Sequence, residues 1–381
     1  MRSCSSDLRS GEGSGLDRER VGGGVRRLPW GKYHGPCRQR PTSTAILSVD
    51  QMKVLVTGAT GFLGAYVAPA LAQSGHEVTG MVHSTKPSPD LGKMMETRIA
   101  DLTDEASLLE ATKSIDAVVH LAAYYTFFGR KDFYKAVTVE GTRSLLRACR
   151  ANGVRRFVYC SSTEVIGPVG TPPADENTRL NPTYEYGRSK LDAERVVRES
   201  PAREIEWTIV RPSGIYGPGN VDDVAFWFIV SFAKNALATR FLVGGGRNLI
   251  QFVHARDAAR AFVLALNNPK VSAGQTYLVS GEPAVSYKEL YSMMAELCGR
   301  EPPRISIPGT LAKAMIAPVE AINAVTGRSS FMWHVSTVDA VTSDRSFSSA
   351  KAARELGYEP IVGLKEGLKE TFDWYRAKGY L

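Results

Sequence analysis

A tyrosine and a lysine four residues apart, in Tyr186-Gly187-Arg188-Ser189-Lys190, offer the most direct chemistry in this sequence. On a helix that spacing puts a phenol and an ammonium on one face. A positive neighbour favours the phenolate, so Lys190 would lower the pKa of Tyr186 toward the working pH and leave the pair fit for acid–base work. The same lysine could hold a cofactor ribose. Such a pair also arises by chance on helices, and it gains meaning from what precedes it. Val158-Tyr159-Cys160-Ser161-Ser162-Thr163-Glu164-Val165 reads as a strand running into a hydroxyl-rich loop. A serine at a strand's carboxyl end can bond a substrate oxygen and orient it, although Ser and Thr also simply end strands.

A second constellation lies upstream. Thr57-Gly58-Ala59-Thr60-Gly61-Phe62-Leu63-Gly64 follows the apolar run Val54–Val56 and opens a helical pattern from Phe62 to Leu71. In a strand–turn–helix of this kind Gly58 allows the tight turn, Gly61 lets the backbone approach a pyrophosphate, and Gly64 lets helix and strand pack closely. The N–H groups at the helix start face the phosphates with the helix dipole in their favour. The turn predicts a dinucleotide site.

The elements that must position these groups alternate. After the first strand and helix, Glu77–Val82 and Arg98–Ala100 read as strands, Asp104–Thr112 as a helix and Ala117–Leu121 as strand four. A long helix is expected over Asp132–Asn152 with Gly153 as its stop, then strand Arg156–Ser161, helix Tyr184–Glu199 and strand Trp207–Val210. This order predicts an α/β fold, a doubly wound parallel (Rossmann) sheet over 52–210 with a return segment near 251–280. Residues 211–250 and 281–345 carry Gly217-Pro218-Gly219, Gly244-Gly245-Gly246 and Pro-rich joints at Pro302-Pro303, Pro308 and Pro318. They are expected to form a smaller, mainly helical substrate lobe, with 346–381 a helical closing segment.

Residues 1–51 differ in kind: they hold nine Lys+Arg against five Asp+Glu, half of the formal net charge of +8, and no hydrophobic period. A disordered basic extension is expected; organelle targeting is the alternative, against which Asp7, Glu12, Asp17 and Glu19 count. The remaining charge is ordinary for an enzyme, so no nucleic-acid partner is expected. No apolar run reaches the ~18 residues that span a bilayer. Five scattered cysteines and six scattered histidines show no metal spacing and no disulfide framework, which predicts no metal and a cytoplasmic setting.

The ordered series of motifs resembles the extended short-chain dehydrogenase/reductases of the NAD-dependent epimerase/dehydratase group. The matching pieces are the glycine turn, Asp101-Leu102, His120-Leu121-Ala122-Ala123, the Ser162 loop, Tyr186/Lys190, Arg211-Pro212-Ser213-Gly214-Ile215-Tyr216-Gly217-Pro218-Gly219 and Phe252–Asp257. The resemblance covers about residues 52–381. It implies Tyr186 as general acid/base, Lys190 as ribose anchor and Ser162 as the hydroxyl on the substrate oxygen. It also implies that the turn residues Gly58, Thr60, Gly61, Phe62, Leu63 and Gly64 hold the pyrophosphate. Asp101 and Leu102 would border the adenine, Ala122 and Ala123 the ribose, and Pro212 and Ser213 the nicotinamide. His254 and Asp257 would be structural, with Asp257 capping the helix that follows.

Two departures stand out. Thr138-Val139-Glu140-Gly141-Thr142 has Thr138 where the family usually has an asparagine, which puts a water relay there in doubt. At the end of strand two, where an NAD-preferring chain offers a carboxylate to the ribose 2′-OH, this chain offers His83-Ser84-Thr85-Lys86. His83, Ser84 and Lys86 suit a 2′-phosphate, so NADP is expected ahead of NAD. Tyr124-Tyr125-Thr126-Phe127-Phe128 and Phe226-Trp227-Phe228-Ile229 lie in regions that border substrate in the family. Their uncharged, aromatic character suggests an apolar alcohol or ketone as the small-molecule substrate, as in the 3β-hydroxysteroid dehydrogenase and dihydroflavonol reductase branches. A nucleotide-sugar epimerase or dehydratase, with Arg240 and Arg247 on the diphosphate, and a non-catalytic NADP sensor are the alternatives; a homodimer is left open. Because the extension has no periodic apolar content to bury, removing residues 1–51 should leave thermal unfolding within about 1 kcal/mol of full length. Insoluble truncated protein would show that the extension packs on the core.

Overall fold

The computed structural model describes residues 51–83, 92, 95–126, 130–201, 203–221, 224–326 and 334–381. Ser84, Lys86, Phe127, Phe128 and residues 1–50 lie outside them. Seven strands make the main sheet: β1 (Lys53–Thr57), β2 (Glu77–Val82), β3 (Glu96–Ile99), β4 (Ala117–His120), β5 (Arg156–Cys160), β6 (Glu206–Pro212) and β7 (Gln275–Val279). Their spatial order is β7-β6-β5-β4-β1-β2-β3, and every neighbouring pair is parallel. Sequence order reverses between β1 and β4. Outside the carboxyl ends of the strands at such a switch point is where ligands of open α/β sheets bind.

A sheet covered on both faces needs strands that are apolar on both sides. Val54 and Val56 of β1 enter a core shared with Val67, Ala68 and Leu71 of helix α1 (Gly64–Gln73). Leu55 enters the opposite core, with residues of α2 (Glu105–Ala111), α3 (Gly141–Ala151) and α4 (Glu185–Arg198). β5 divides its side chains likewise, Val158 and Cys160 to one face and Phe157 and Tyr159 to the other.

A separate hydrophobic cluster joins α5 (Val224–Ala233), a later helix at Tyr287–Cys298 and the last helix, Leu364–Ala377. Phe226, Phe228 and Ile229 are buried in it, whereas Trp227 is half exposed. Three of the four residues of this helix expected beside substrate are therefore lobe core. An apolar helix flanked by other helices has no other place for them.

The long helix expected over Asp132–Asn152 is continuous but not uniform. Lys131–Phe133 leads into a π-helical stretch, Tyr134–Glu140, before α3 begins. The widened stretch carries Thr138 Oγ1, which accepts from Tyr124 N–H at 3.2 Å, and the Tyr134 hydroxyl, which donates to Thr126 O at 2.5 Å. Two side chains of an irregular turn thus pin the loop after β4, in keeping with the frequent placing of π stretches at functional sites. Pro318, expected at a joint, lies inside the helix Gly309–Thr326. The carbonyl it deprives, that of Ala314, belongs to an exposed residue, where water can satisfy it. Among the described residues no helix is long and apolar enough to cross a membrane.

Candidate active site

Gly58 turns the chain at φ +69°, and a Cβ there would meet Ala122 N at 3.0 Å. A Cβ on buried Gly64 would come to 2.7 Å from Ala59 Cα, so the turn and α1 can pack only without one. Gly61 is different: an added Cβ would touch only Gly58 O, at 3.2 Å. Space therefore lies above Gly61, which is exposed, with Thr60, Phe62 and Leu63 partly exposed around it. α1 has no side-chain cap and no acidic residue in its first turn. Uncapped N–H groups beside an open glycine fit the pyrophosphate of a dinucleotide.

Thr57, to which the sequence reading gave no role, locks this turn to the loop after β4. Its Oγ1 accepts from Leu121 N–H and Ala122 N–H, each at 3.1 Å, and stands 2.7 Å from His120 Nδ1. His120 Nε2 stands 3.0 Å from Thr142 Oγ1, which donates to Thr138 O at 2.6 Å. The donors close in one direction only. With Thr57 Oγ1 already accepting twice, its proton goes to Nδ1, and Nε2–H donates to Thr142. Burial, with the charge of Lys190 nearby, pushes His120 down to about 3, so this relay is neutral. Thr138, in the place of the family's asparagine, accepts from the backbone of Tyr124 with its hydroxyl and from Thr142 Oγ1 with its carbonyl.

Tyr186, Lys190 and Glu194 are spaced by four along α4 and share its buried face. The Lys190 ammonium, 1% exposed, donates to Cys160 O at 2.8 Å and lies 5.8 Å from the centre of the Tyr186 ring. Burial lowers its pKa; Cys160 and the Glu194 carboxylate oppose the shift. Burial alone would raise Glu194, but the hydrogen bonds and charge of Arg211 win and hold it ionised. Arg211 Nε and its NH2 group donate to the two carboxylate oxygens at 2.7 and 2.6 Å, and Ser161 Oγ donates to one at 2.6 Å. The expected pair is thus the outer part of a longer charged stripe. Its inner members were legible only as a Lys190-x-x-x-Glu194 spacing and an arginine before Pro212.

Ser162 follows β5, partly exposed, and its Oγ accepts from Glu164 N–H at 3.2 Å. That bond leaves the hydroxyl proton for another acceptor. The ring of Tyr125 meets that of Tyr186 edge-on, centroids 5.0 Å apart, and Tyr124 packs on Phe133 and Tyr134. Pro212 ends β6, and the Oγ of buried Ser213 is without a hydrogen-bond partner among the described residues. An orphaned hydroxyl at a strand's carboxyl end fits the amide of a nicotinamide.

Other expected positions separate. His83, exposed after β2, has Nε2 2.9 Å from Asp101 Oδ2, and that carboxyl is lowered first by Thr103 N–H and then by Thr103 Oγ1 and His83. Leu102 is buried, with its Cβ against Gly141, so only Asp101 of the pair offers a side chain at this edge. Asp257 does not cap its helix, Ala255–Asn267. His254 does, accepting from Arg256 N–H at 3.2 Å. Asp257, one turn in, accepts from Ile361 N–H and Val362 N–H instead and so anchors the chain before the last helix. Among the described residues no group of three or more His, Cys, Asp or Glu could hold a metal.

Residues 54–280 match the NAD dependent epimerase/dehydratase family. The chain belongs to this family. It is an enzyme of the extended short-chain dehydrogenase/reductase type. The Arabidopsis thaliana 3beta-hydroxysteroid-dehydrogenase/decarboxylase isoform 1 is 30% identical over 322 residues, 81% of this chain and 72% of that protein. The 3-beta-hydroxysteroid dehydrogenase of Mycolicibacterium neoaurum is 30% identical over 349 residues, 86% of this chain and 93% of that protein. Among solved structures, DesIV, a dTDP-glucose 4,6-dehydratase from Streptomyces venezuelae with NAD and TYD bound, superposes with a TM-score of 0.68. It is 25% identical, covering 86% of this chain and 98% of that one.

The epimerase/dehydratase scaffold here depends on Glu194 for charge balance. Glu194→Gln keeps the volume but leaves Arg211, 2% exposed, without a counter-charge. Breaking a buried pair in this way costs about 3–5 kcal/mol. Urea unfolding should show a loss of that size; a loss under about 1 kcal/mol would mean that Arg211 finds another partner.

Proposed function

We propose that the chain moves a hydride between a nicotinamide and a secondary alcohol or ketone of a largely apolar, sterol- or flavonoid-like molecule, with Tyr186 as general acid/base. The observation that carries this reading is the Tyr186 phenol, on one buried face with Lys190 and edged by the uncharged ring of Tyr125. Relatives that are 3β-hydroxysteroid dehydrogenases across most of both chains favour the sterol class. In this reading residues 211–250 and 281–345 hold the substrate, and the buried thiols of Cys149 and Cys160 go with a reducing cytoplasm.

When bound, the cofactor supplies the acceptor or donor of the hydride. The turn from Gly58 to Gly64 would hold its pyrophosphate, Asp101 its adenine edge, Ala122 and Ala123 its ribose, and Pro212 and Ser213 its nicotinamide end. Lys190 spends one N–H on Cys160 O and keeps two for ribose hydroxyls. Its charge favours the phenolate of Tyr186, which takes the alcohol proton in oxidation and returns it in reduction. Ser162 would fix the substrate oxygen.

A nucleotide-sugar epimerase or dehydratase is the second reading, favoured by the DesIV likeness. Incubating the protein with oxidised or reduced NADP or NAD and separate sterols, flavanonols and nucleotide sugars decides between them. Net hydride transfer changes the reduced-nicotinamide absorbance, whereas an epimerase or dehydratase returns its hydride and is detected by analysing the sugar product. Turnover of nucleotide sugars alone would overturn the proposal. Tyr186→Phe should keep cofactor binding and lose about 10²–10⁴ in rate; activity within a fewfold of wild type would remove Tyr186 from the role.

NADP is the proposed preferred cofactor, on the ground that His83 stands where a 2′-OH reader would be acidic. The Asp101 carboxylate 2.9 Å from His83 opposes this preference, since negative charge at the same edge repels a 2′-phosphate. One charge-assisted contact to a phosphate is worth about 1.5–3 kcal/mol, so the preference should be about tenfold or greater and His83→Asp should reverse it. Equal dissociation constants in fluorescence titration at low salt would refute it.

A further inference from the structure

Asp344–Ser348 is a strap fastened on two sides. On one side Val169 N–H donates to Asp344 O at 2.9 Å, Ala174 N–H to Ser346 O at 2.8 Å and Ser348 N–H back to Ala174 O at 2.8 Å. On the other, Arg345 N–H donates to Leu249 O at 2.8 Å, Leu249 N–H to Asp344 Oδ1 at 2.8 Å and Phe347 N–H to Gln251 Oε1 at 2.7 Å. Residues 169–174 continue the loop that leaves β5 through Ser162. Residues 249–251 follow the glycine run Gly244–Gly246.

From the middle of the strap the guanidinium of Arg345 reaches the carboxylate of Glu164, 181 residues away in sequence. Glu164 sits at the meeting point of two site elements. Its N–H is the one that Ser162 Oγ accepts. Its carbonyl lies under the first turn of α4, where a Cβ on Gly187, the residue after Tyr186, would be 2.6 Å from Glu164 O. Moving Glu164 therefore moves Ser162 relative to Tyr186.

Glu164 Oε2 and Arg345 Nε are both buried without a hydrogen-bond partner among the described residues. The two charges are spent on each other, which separates the pair from a binding subsite. An ion pair with unmatched atoms is also a poor stabiliser, since apolar residues of like volume do as well. Its value is geometric. We propose that Glu164 and Arg345 are positioning residues: Arg345 holds the Ser162 turn against the first turn of α4 and links it through the strap to residues 249–251. This rests on the assignment of Ser162 and Tyr186 as the reacting site.

The test uses the full chain in four forms, R345M, R345K, E164Q and the double variant E164Q/R345M, each measured on whichever substrate wild type turns over. A small misplacement of reacting groups is costly, so R345M should lose about tenfold or more in kcat. Its cofactor dissociation constant, set at the glycine turn, should stay within about twofold, and R345K should recover most of the rate. The double variant should be no worse than R345M, because one tie is lost once. Amide exchange at residues 162–166 should quicken in R345M, a readout that needs no substrate. Should R345M fail to fold, E164Q decides, with a fall in kcat of about fivefold or more expected. Wild-type kcat in R345M or E164Q, or additive losses in the double variant, would overturn the proposal. Failure of wild type on sterols would count against the proposed substrate alone.

Discussion

Burying the ammonium of Lys190 is the constraint on which the rest of this structure turns. An unpaired ion in a protein interior costs several kcal/mol even after relaxation. The fold meets that cost from three directions. The carboxyl end of β5 supplies a carbonyl, Cys160 O, the next turn of α4 supplies Glu194, and β6 supplies Arg211 to keep Glu194 ionised. Each partner fixes one element. α4 must present positions 186, 190 and 194 inward, β5 must end at Cys160, and β6 must run beside it to bring Arg211 beneath the helix. Ser161, bonded to Glu194, sets the phase of the chain just before Ser162. The phenol of Tyr186 is thus placed by the charges behind it.

The opposite choice was made on the other side of β5. His120 is as deeply buried as Lys190, but it stays neutral, and its tautomer follows from the two threonines that flank it. A second cation there would face Lys190 in a low-dielectric medium, where charges repel over several ångströms. The neutral relay does mechanical work instead. Through Thr57 it holds the backbone of Leu121 and Ala122 against the glycine turn, and through Thr142 and Thr138 it reaches the π-helical stretch that pins the Tyr124–Thr126 loop. Cofactor turn and aromatic wall are thereby joined by hydrogen bonds that carry no net charge.

What the sequence disclosed, and what it hid, follows from range. Periodicity is local, so the strands, the helices and the i, i+4 face of Tyr186 and Lys190 could be read directly, with helix ends within a residue or two. The alternation of strands and helices implies a doubly wound parallel sheet, but neither its strand order nor its edge strand Gln275–Val279 could be read from it. Long-range side-chain pairs leave no such trace. Asp257 looks like a helix cap from its position, yet its partners are the N–H groups of Ile361 and Val362, about a hundred residues on. Phe226 and Phe228 look equally suited to a pocket wall or a core, and the helices that cover them lie far along the chain. The widened turn at Tyr134–Glu140 is invisible for another reason: a π stretch keeps the residue types of an α-helix and differs only in which carbonyl each N–H meets.

Satisfaction of buried polar atoms divides the molecule unevenly. Around Thr57 and His120 the relay pairs each hydroxyl and ring nitrogen, and the Glu194 carboxylate is fully engaged. Among the described residues, Glu164 Oε2, Arg345 Nε and His254 Nε2 toward the strap, and the Tyr159 hydroxyl, one Arg211 nitrogen and Ser213 Oγ at the ends of β5 and β6, are buried without hydrogen-bond partners. A buried group left unpaired forfeits its hydration and receives nothing in return, whereas opening to water restores it. Local opening is therefore less costly at these atoms, on the strap and at the β5 and β6 ends alike, than at the Thr57–His120 relay. The neutral relay that ties the glycine turn to the loop after β4 is thus the part with most to lose from opening. It holds those two segments together while the less well-paired strap and the Ser213 end of β6 can yield.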